Sequence, residues 1–261
     1  MKKIKKSVSP PELANHLNAN PNDDWDQFCG NNRDGKEAVQ SRLRSDQRGV
    51  CAYCEIELAQ FHGRGLDDFR IEHFHPKERP PYPPPNWALD WDNLIAVCTG
   101  GNSRYIGDAG LFTSPDHSCD VPKGNQNLVG VILDPTSDIP AYPPLFEFDE
   151  QGGMSVGNEC PVDIRAKAQN TIDCLRLDPA CDSSSQSPRL RRFRKVVIDG
   201  LRQKILEITN TGEDIQAAAD ELASIFFPNE GDASWPSFFS CIRWYLGPAA
   251  EARLRAIGYD G

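Results

Sequence analysis

Glu72 and His73 stand side by side in Ile71-Glu72-His73-Phe74-His75-Pro76-Lys77, and this pair is where chemistry is first legible in the chain. A carboxylate can hold a divalent metal ion. An imidazole titrates close to working pH, so it can take a proton from water as a general base. Together they could supply an activated water and charge stabilisation, the two needs of phosphate-ester hydrolysis. Asn93, in Trp91-Asp92-Asn93-Leu94-Ile95, can tie a loop through its amide and orient His73. Asp120, in Cys119-Asp120-Val121-Pro122-Lys123-Gly124-Asn125, is expected as the second ligand of the catalytic ion, with Mg²⁺ the leading choice. Lys123 lies one turn further on and, with Lys77, is expected to meet phosphate or stand in solvent. His75 is a further candidate.

Alone, a Glu-His pair on a strand edge reads as an ordinary surface pair; the cysteines around it change that reading. Cys51-Ala52-Tyr53-Cys54 has the spacing that offers two thiolates to one zinc ion from a single turn. Cys98 follows the apolar run Leu94-Ile95-Ala96-Val97, and Cys119 is the next cysteine. Cys51, Cys54, Cys98 and Cys119 are therefore expected to bind a structural Zn²⁺, with residues 99–118 as an insertion. His117 is the alternative to either late cysteine. Four protein ligands leave no open position, so this zinc would not be the catalytic ion.

These residues need a frame. Pro10–Leu17 has a helix signature with Ser9 as its cap, and Lys36–Gln47 has another, with Val39 and Leu43 on one face beside Arg42 or Gln47. Gly30–Lys36 imitates a phosphate-binding loop. It is set aside because no buried strand precedes it and Glu37 stands where a metal-binding hydroxyl is needed. Phe69–Phe74 reads as a strand, and Asp92 is expected to cap whatever begins after it. Adjacent strand side chains point to opposite faces, so Glu72 and His73 share a site only if the strand ends there, as Pro76 suggests. Pro80–Pro85 reads as a rigid extended loop. Leu128–Leu133 reads as a strand, and Leu145–Val156 as a hairpin. Pro161–Leu175, Ser187–Thr209, Asp214–Phe227 and Ser237–Ile257 read as helical. In the second of these, Leu190, Phe193, Val197, Leu201 and Ile208 form an apolar stripe. The basic run Arg189–Lys195 would then spread over the remaining surface, with Arg191 and Arg194 as phosphate contacts, partner contacts or a solvated face.

The chain of 261 residues carries a net charge of −10, which speaks against a general coat for nucleic acid but not against a local basic groove. Its nine cysteines are odd in number and follow a lysine-rich start with no apolar segment behind it, so metal binding and buried thiols are expected ahead of disulfides. No membrane span and a cytoplasmic location are expected.

The combination of Cys51-Ala52-Tyr53-Cys54-Glu55, Ile71–Lys77, Asp90-Trp91-Asp92-Asn93-Leu94 and Cys119-Asp120-x-x-Lys123-Gly124-Asn125 resembles the HNH endonucleases. The branch it resembles is found in Septu-type and retron-associated (PtuB-like) anti-phage systems. Leu133-Asp134-Pro135 and Thr171–Leu177 extend the resemblance. It implies an α+β fold in which residues 49–130 form a ββα-metal core with a zinc knuckle. Residues 1–48 would be a helical lead, and residues 131–261 a mostly helical region used for docking. The resemblance also implies nucleic acid as substrate, DNA ahead of RNA, and an SMC/ABC-like ATPase as partner. His75 departs from the family, where Arg is frequent. The long gap after Cys98 leaves Asn102, four residues on, as the competitor of Asp120. The alternative reading is a zinc-bearing nucleic-acid-binding or scaffold subunit without catalysis.

Overall fold

The computed structural model describes residues 1–58, 69–77, 85–100, 118–178, 189–229 and 234–261. Asn102, His117 and most of the proline-rich loop lie outside them. The chain is a mixed α+β structure whose elements begin with three helices, α1 (Pro11–Ala19), α2 (Trp25–Asn31) and α3 (Arg33–Asp46). Pro10, not Ser9, occupies the cap position of α1, and no side chain caps it. Helix α2 opens with a capping box in which Asp24 and Gln27 satisfy each other's backbone amides.

The glycine-bearing stretch that imitates a phosphate loop is the junction of α2 and α3. Asn32 ends the first helix and caps the second through the Gly35 amide. A Cβ on Gly35 would lie 2.7 Å from the Asn32 side chain, so the cap itself demands glycine there. Helix α3 thus begins three residues earlier than its periodicity suggests. Val39, Leu43 and Gln47 turn inward, while Arg42 is exposed.

Strands β1 (Phe69–His73) and β2 (Leu94–Cys98) pair antiparallel, with Phe69 opposite Cys98 and His73 opposite Leu94. Strand β2 is buried along its whole length, which is why it reads as a continuous apolar run without alternation. A 3₁₀ turn at Trp91–Asn93 leads into it and is capped by Asp90, not Asp92. The Cys51–Cys54 knuckle lies on the other side of β2, where the Ala52 amide donates to the Ala96 carbonyl. Helix α4 (Asp120–Lys123) begins directly after Cys119.

Leu128–Leu133 is not a strand. It forms successive turns, in which the Val131 and Ile132 amides both donate to the Leu128 carbonyl around Gly130 at φ 78°. Val129 and Val131 are exposed while Ile132 and Leu133 are buried, so the residues do not alternate as a pleated strand requires. The expected hairpin is present as β3 (Phe146–Phe148) and β4 (Met154–Val156). The C-terminal half consists of α5 (Val162–Cys174), α6 (Arg189–Thr209), α7 (Ile215–Phe226), α8 (Phe239–Leu246) and α9 (Pro248–Ala256). The last two replace a single expected helical stretch, because Gly247 takes φ 50° and Pro248 cannot continue α8.

One buried cluster runs from Ile4, Phe28 and Val39 through the knuckle and both strands to Ile132, Phe146 and Ile172. A second gathers Leu201, Leu222, Phe239 and Leu254 of α6–α9. Gln47 joins α3, the knuckle and β2 at the centre. Its amide nitrogen donates to the Val50 and Ala96 carbonyls at 2.9 and 2.8 Å, and its oxygen accepts from the Ala96 amide at 2.7 Å. Gln47→Leu would leave two buried backbone groups unpaired, the Val50 carbonyl and the Ala96 amide, because the Ala96 carbonyl keeps the Ala52 amide. At roughly 1–3 kcal/mol for each such group, partly relieved by relaxation, a loss of about 3 kcal/mol is expected as a lower urea midpoint. An unchanged midpoint would show that the tie is dispensable.

Candidate metal and catalytic site

The sulfurs of Cys51, Cys54, Cys98 and Cys119 all lie within 4.8 Å of one another, and all four residues are buried. Two of the separations are 3.5 Å (Cys54 to Cys98) and 3.6 Å (Cys98 to Cys119). A tetrahedron with metal–sulfur bonds of about 2.3 Å has edges of roughly 3.8 Å, so this set fits a tetrahedral ion such as zinc. The electrostatics agree. Burial raises the Cys51 thiol, but its three thiol neighbours pull it well below the ordinary range, while Cys54 and Cys119 are pushed up by burial. Without a cation the pocket favours a single thiolate; a divalent ion would let all four ionise. Among the described residues this is the one group of three or more such side chains placed to hold a metal.

Three separate backbone devices aim the sulfurs. In the knuckle, the Cys51 amide donates to Ile56 O, the Glu55 amide donates to Cys51 O, and Glu55 takes φ 64°. Cys98 ends β2, and its amide donates to the Cys51 sulfur at 3.3 Å. Cys119 is held at φ 66°, ψ −126°, a conformation that favours glycine. The end of α5 holds it there, since Leu175 O accepts from the Cys119 amide and Arg176 O from the Ser118 hydroxyl.

Asp120 follows directly. Burial pushes its carboxyl up to about 7, with Glu72 adding to the rise and Arg70 opposing it. Both Asp120 oxygens lie 3.2 Å from the Arg70 guanidinium, which projects from β1 two residues before Glu72 and so from the same face. Glu72 is also raised by burial, against the pull of Lys123. Lys123 is not at the surface as expected. Only 1% of its side chain is exposed; it lies 2.6 Å from Glu72 Oε1 and donates to His73 O at 3.2 Å. It anchors a carboxylate and does not present a free phosphate contact.

Strand β1 ends at His73, and Glu72 and His73 line one cleft of about 350 Å³. His73 packs edge-on against Trp25, and its Nε2 lies 3.0 Å from Ala88 O. A carbonyl can only accept, so Nε2 carries the proton and Nδ1 is the bare nitrogen. Burial lowers the imidazole to about 4, which keeps it neutral at physiological pH. Asn93 Oδ1 accepts from the His75 amide at 2.6 Å, and its nitrogen donates to His75 O and Trp87 O at 2.9 and 2.7 Å. It therefore ties the segment after His73 to the one carrying Ala88. His75 stacks on Trp87 at 4.4 Å and faces a second cavity, away from the Glu72 cleft. Lys77 is exposed, 3.5 Å from Asp26.

The basic run on α6 does not form the expected ridge. Arg194 is four residues after Leu190 and so falls inside the apolar stripe. It is buried, donating to Gly152 O, Leu177 O and Asp178. Arg191 makes a forked pair with the same Asp178 at 3.0 and 2.7 Å. Arg70, Trp25 and the Ala88 carbonyl escaped the sequence reading. Of these only Arg70 had a signal, its two-residue spacing from Glu72.

No family model matches the chain. It is 33% identical over 171 residues to an Escherichia coli protein named "Retron Ec83 putative HNH endonuclease". That match covers 61% of this chain and 63% of the relative, so it spans less than two thirds of the relative's length.

The cysteine geometry predicts one tightly held metal ion per chain in elemental analysis of protein purified without chelator. Cys98→Ser is expected to lose it together with most of the cooperative thermal transition, because metal binding in such a knuckle is largely folding energy. Metal-free parent protein, or a Cys98→Ser variant that melts like the parent, would contradict this.

Proposed function

We propose that the chain is a metal-dependent endonuclease of the HNH type that hydrolyses phosphodiester bonds of nucleic acid, DNA ahead of RNA. The observation that carries this reading is the cleft where His73, with its Nδ1 bare, stands next to Glu72. In this reading residues 49–130 form the ββα-metal core, flanked by residues 1–48 and 131–261. Cys51, Cys54, Cys98 and Cys119 hold a structural zinc. Glu72 and Asp120 would hold the catalytic divalent ion, Mg²⁺ or a similar one, which when bound supplies charge stabilisation at the phosphate.

His73 Nδ1 takes the proton of the attacking water, while Ala88 O keeps the other ring nitrogen protonated and the ring fixed. Trp25 walls the imidazole on one side. Asn93 sets the loop that carries this arrangement. Arg70 steadies Asp120, and Lys123 steadies Glu72. The Cys119–Asp120 bond places the second carboxylate from the zinc site, so the structural ion would position a ligand of the catalytic one.

The name of the Escherichia coli relative supports association with a retron, and the resemblance to Septu-type and retron-associated nucleases supports anti-phage defence with an ATPase partner. A second reading, a zinc-bearing binding subunit without catalysis, draws on the Lys123–Glu72 pair, which already gives Glu72 a cation. A cleavage assay on single- and double-stranded DNA and on RNA, with Mg²⁺ or Mn²⁺, separates the two. His73→Ala is expected to cut about 10²–10⁴-fold more slowly with zinc content and helicity intact. Cutting at the parent rate would place the base elsewhere, and a parent that cuts nothing would favour the binding subunit. In the same assay Asp120→Ala is expected to lose activity and Asn102→Ala to keep most of it. The reverse would transfer the second ligand to Asn102.

A further inference from the structure

We infer that helix α3 forms the opposite wall of the His73 cleft and that Lys36 and Gln40 grip the sugar–phosphate backbone there. This deepens the nuclease reading and rests on it. The cleft is bounded by α3 on one side and by β1, with Lys123 and the two residues after it, on the other. Its lining brings together Lys36, Arg70, Lys77 and Lys123 against one carboxylate, Glu72, in a chain whose net charge is −10. Two of those cations are engaged, Lys123 by Glu72 and Arg70 by Asp120. Lys77 only approaches Asp26 at 3.5 Å, both side chains being well exposed. Lys36 is exposed and forms no ion pair among the described residues.

Gln40 is the second observation. It is 8% exposed and lines the cleft, and its side-chain amide makes no hydrogen bond among the described residues. A side-chain amide that faces a cleft with its hydrogen-bonding capacity unused is available to a ligand lying there. It sits four residues after Lys36, hence on the same face of α3 and about 5–6 Å along it. A cation and an amide donor in that order offer one charge and one hydrogen bond to a strand lying across His73. Neither depends on base identity, so the grip is to the backbone.

The two residues predict different signatures. Binding of a fluorescein-labelled DNA oligonucleotide, single-stranded and as a duplex, would be followed by anisotropy over a salt series with Mg²⁺ left out. Lys36→Ala is expected to lower the log–log salt slope by about 0.9 on duplex or 0.7 on single strand, the loss of one phosphate contact. Gln40→Ala is expected to weaken binding several-fold at every salt concentration with the slope unchanged. Gln40→Glu, of the same volume, should weaken it further by repelling phosphate. Lys204→Ala, a cation of α6 paired with Glu207 outside the cleft, is the control and should change neither quantity.

Parent affinity and slope in Lys36→Ala and Gln40→Glu would overturn the inference, as would a parent that binds neither probe. Cleavage by the parent, measured in parallel with Mg²⁺, keeps the two readings apart. A parent that cuts while both variants bind like it removes the grip and leaves the nuclease. A parent that never cuts, with variants that bind less well, removes the nuclease and leaves the grip.

Discussion

Four sulfurs in one buried space are the constraint on which the rest depends. Thiols at positions 51, 54, 98 and 119 come from a knuckle, a strand end and a turn, and each must arrive with its sulfur aimed inward. That convergence sets β2 against the knuckle, since Cys98 closes the strand and Ala52 pairs with Ala96. It also sets where α4 begins, because Asp120 is the first residue after the last sulfur. A metal held by this cluster would be part of the folding equilibrium and not an addition to a finished protein, because its ligands come together only in the fold.

The C-terminal half contributes by holding that turn. Cys119 occupies a backbone conformation that an L-residue adopts only when its surroundings impose it. Leu175 O and Arg176 O, at the end of α5, impose it through the Cys119 amide and the Ser118 hydroxyl. Thr171, one turn earlier in α5, accepts from the Leu133 amide and so ties down the turns that follow α4. The echoes at Leu133–Pro135 and Thr171–Leu177 thus have a mechanical meaning. They are the clamps on the segment that carries Cys119, Asp120 and Lys123.

How much of this was legible depended on whether a residue's role was local. The cysteine set could be read from type and spacing, because thiolates at such intervals have few other uses. The β3–β4 hairpin and the C-terminal helices declared themselves by turn residues and period. Leu128–Leu133 misled because its valines have strand propensity while Gly130, at φ 78°, bends the chain into turns. Lys123 and Arg194 misled for one shared reason. A cation in a sequence reads as surface, yet each finds a partly buried carboxylate from another segment, Glu72 for one and Asp178 for the other. Nothing local announces such a partner. Gln47 is the same case without charge, a polar residue at a core position whose three bonds go to two other segments.

Those buried pairs also decide where an acidic chain can attract an anion. Arg191 forks onto Asp178 and Arg194 reaches the same carboxylate through one nitrogen, so neither of these two charges stands open on the surface. The cleft lining holds four cations and one carboxylate, and its Lys36 charge is not cancelled by an ion pair among the described residues. Attraction depends on the local sum of charges, weighted by how strongly water screens them, and not on the number of arginines in a segment. On the nuclease reading the arrangement is therefore consistent. Cations that position Glu72 and Asp120 are locked onto them, and Lys36, without an ion pair among the described residues, stands across from His73, where a phosphate would have to lie.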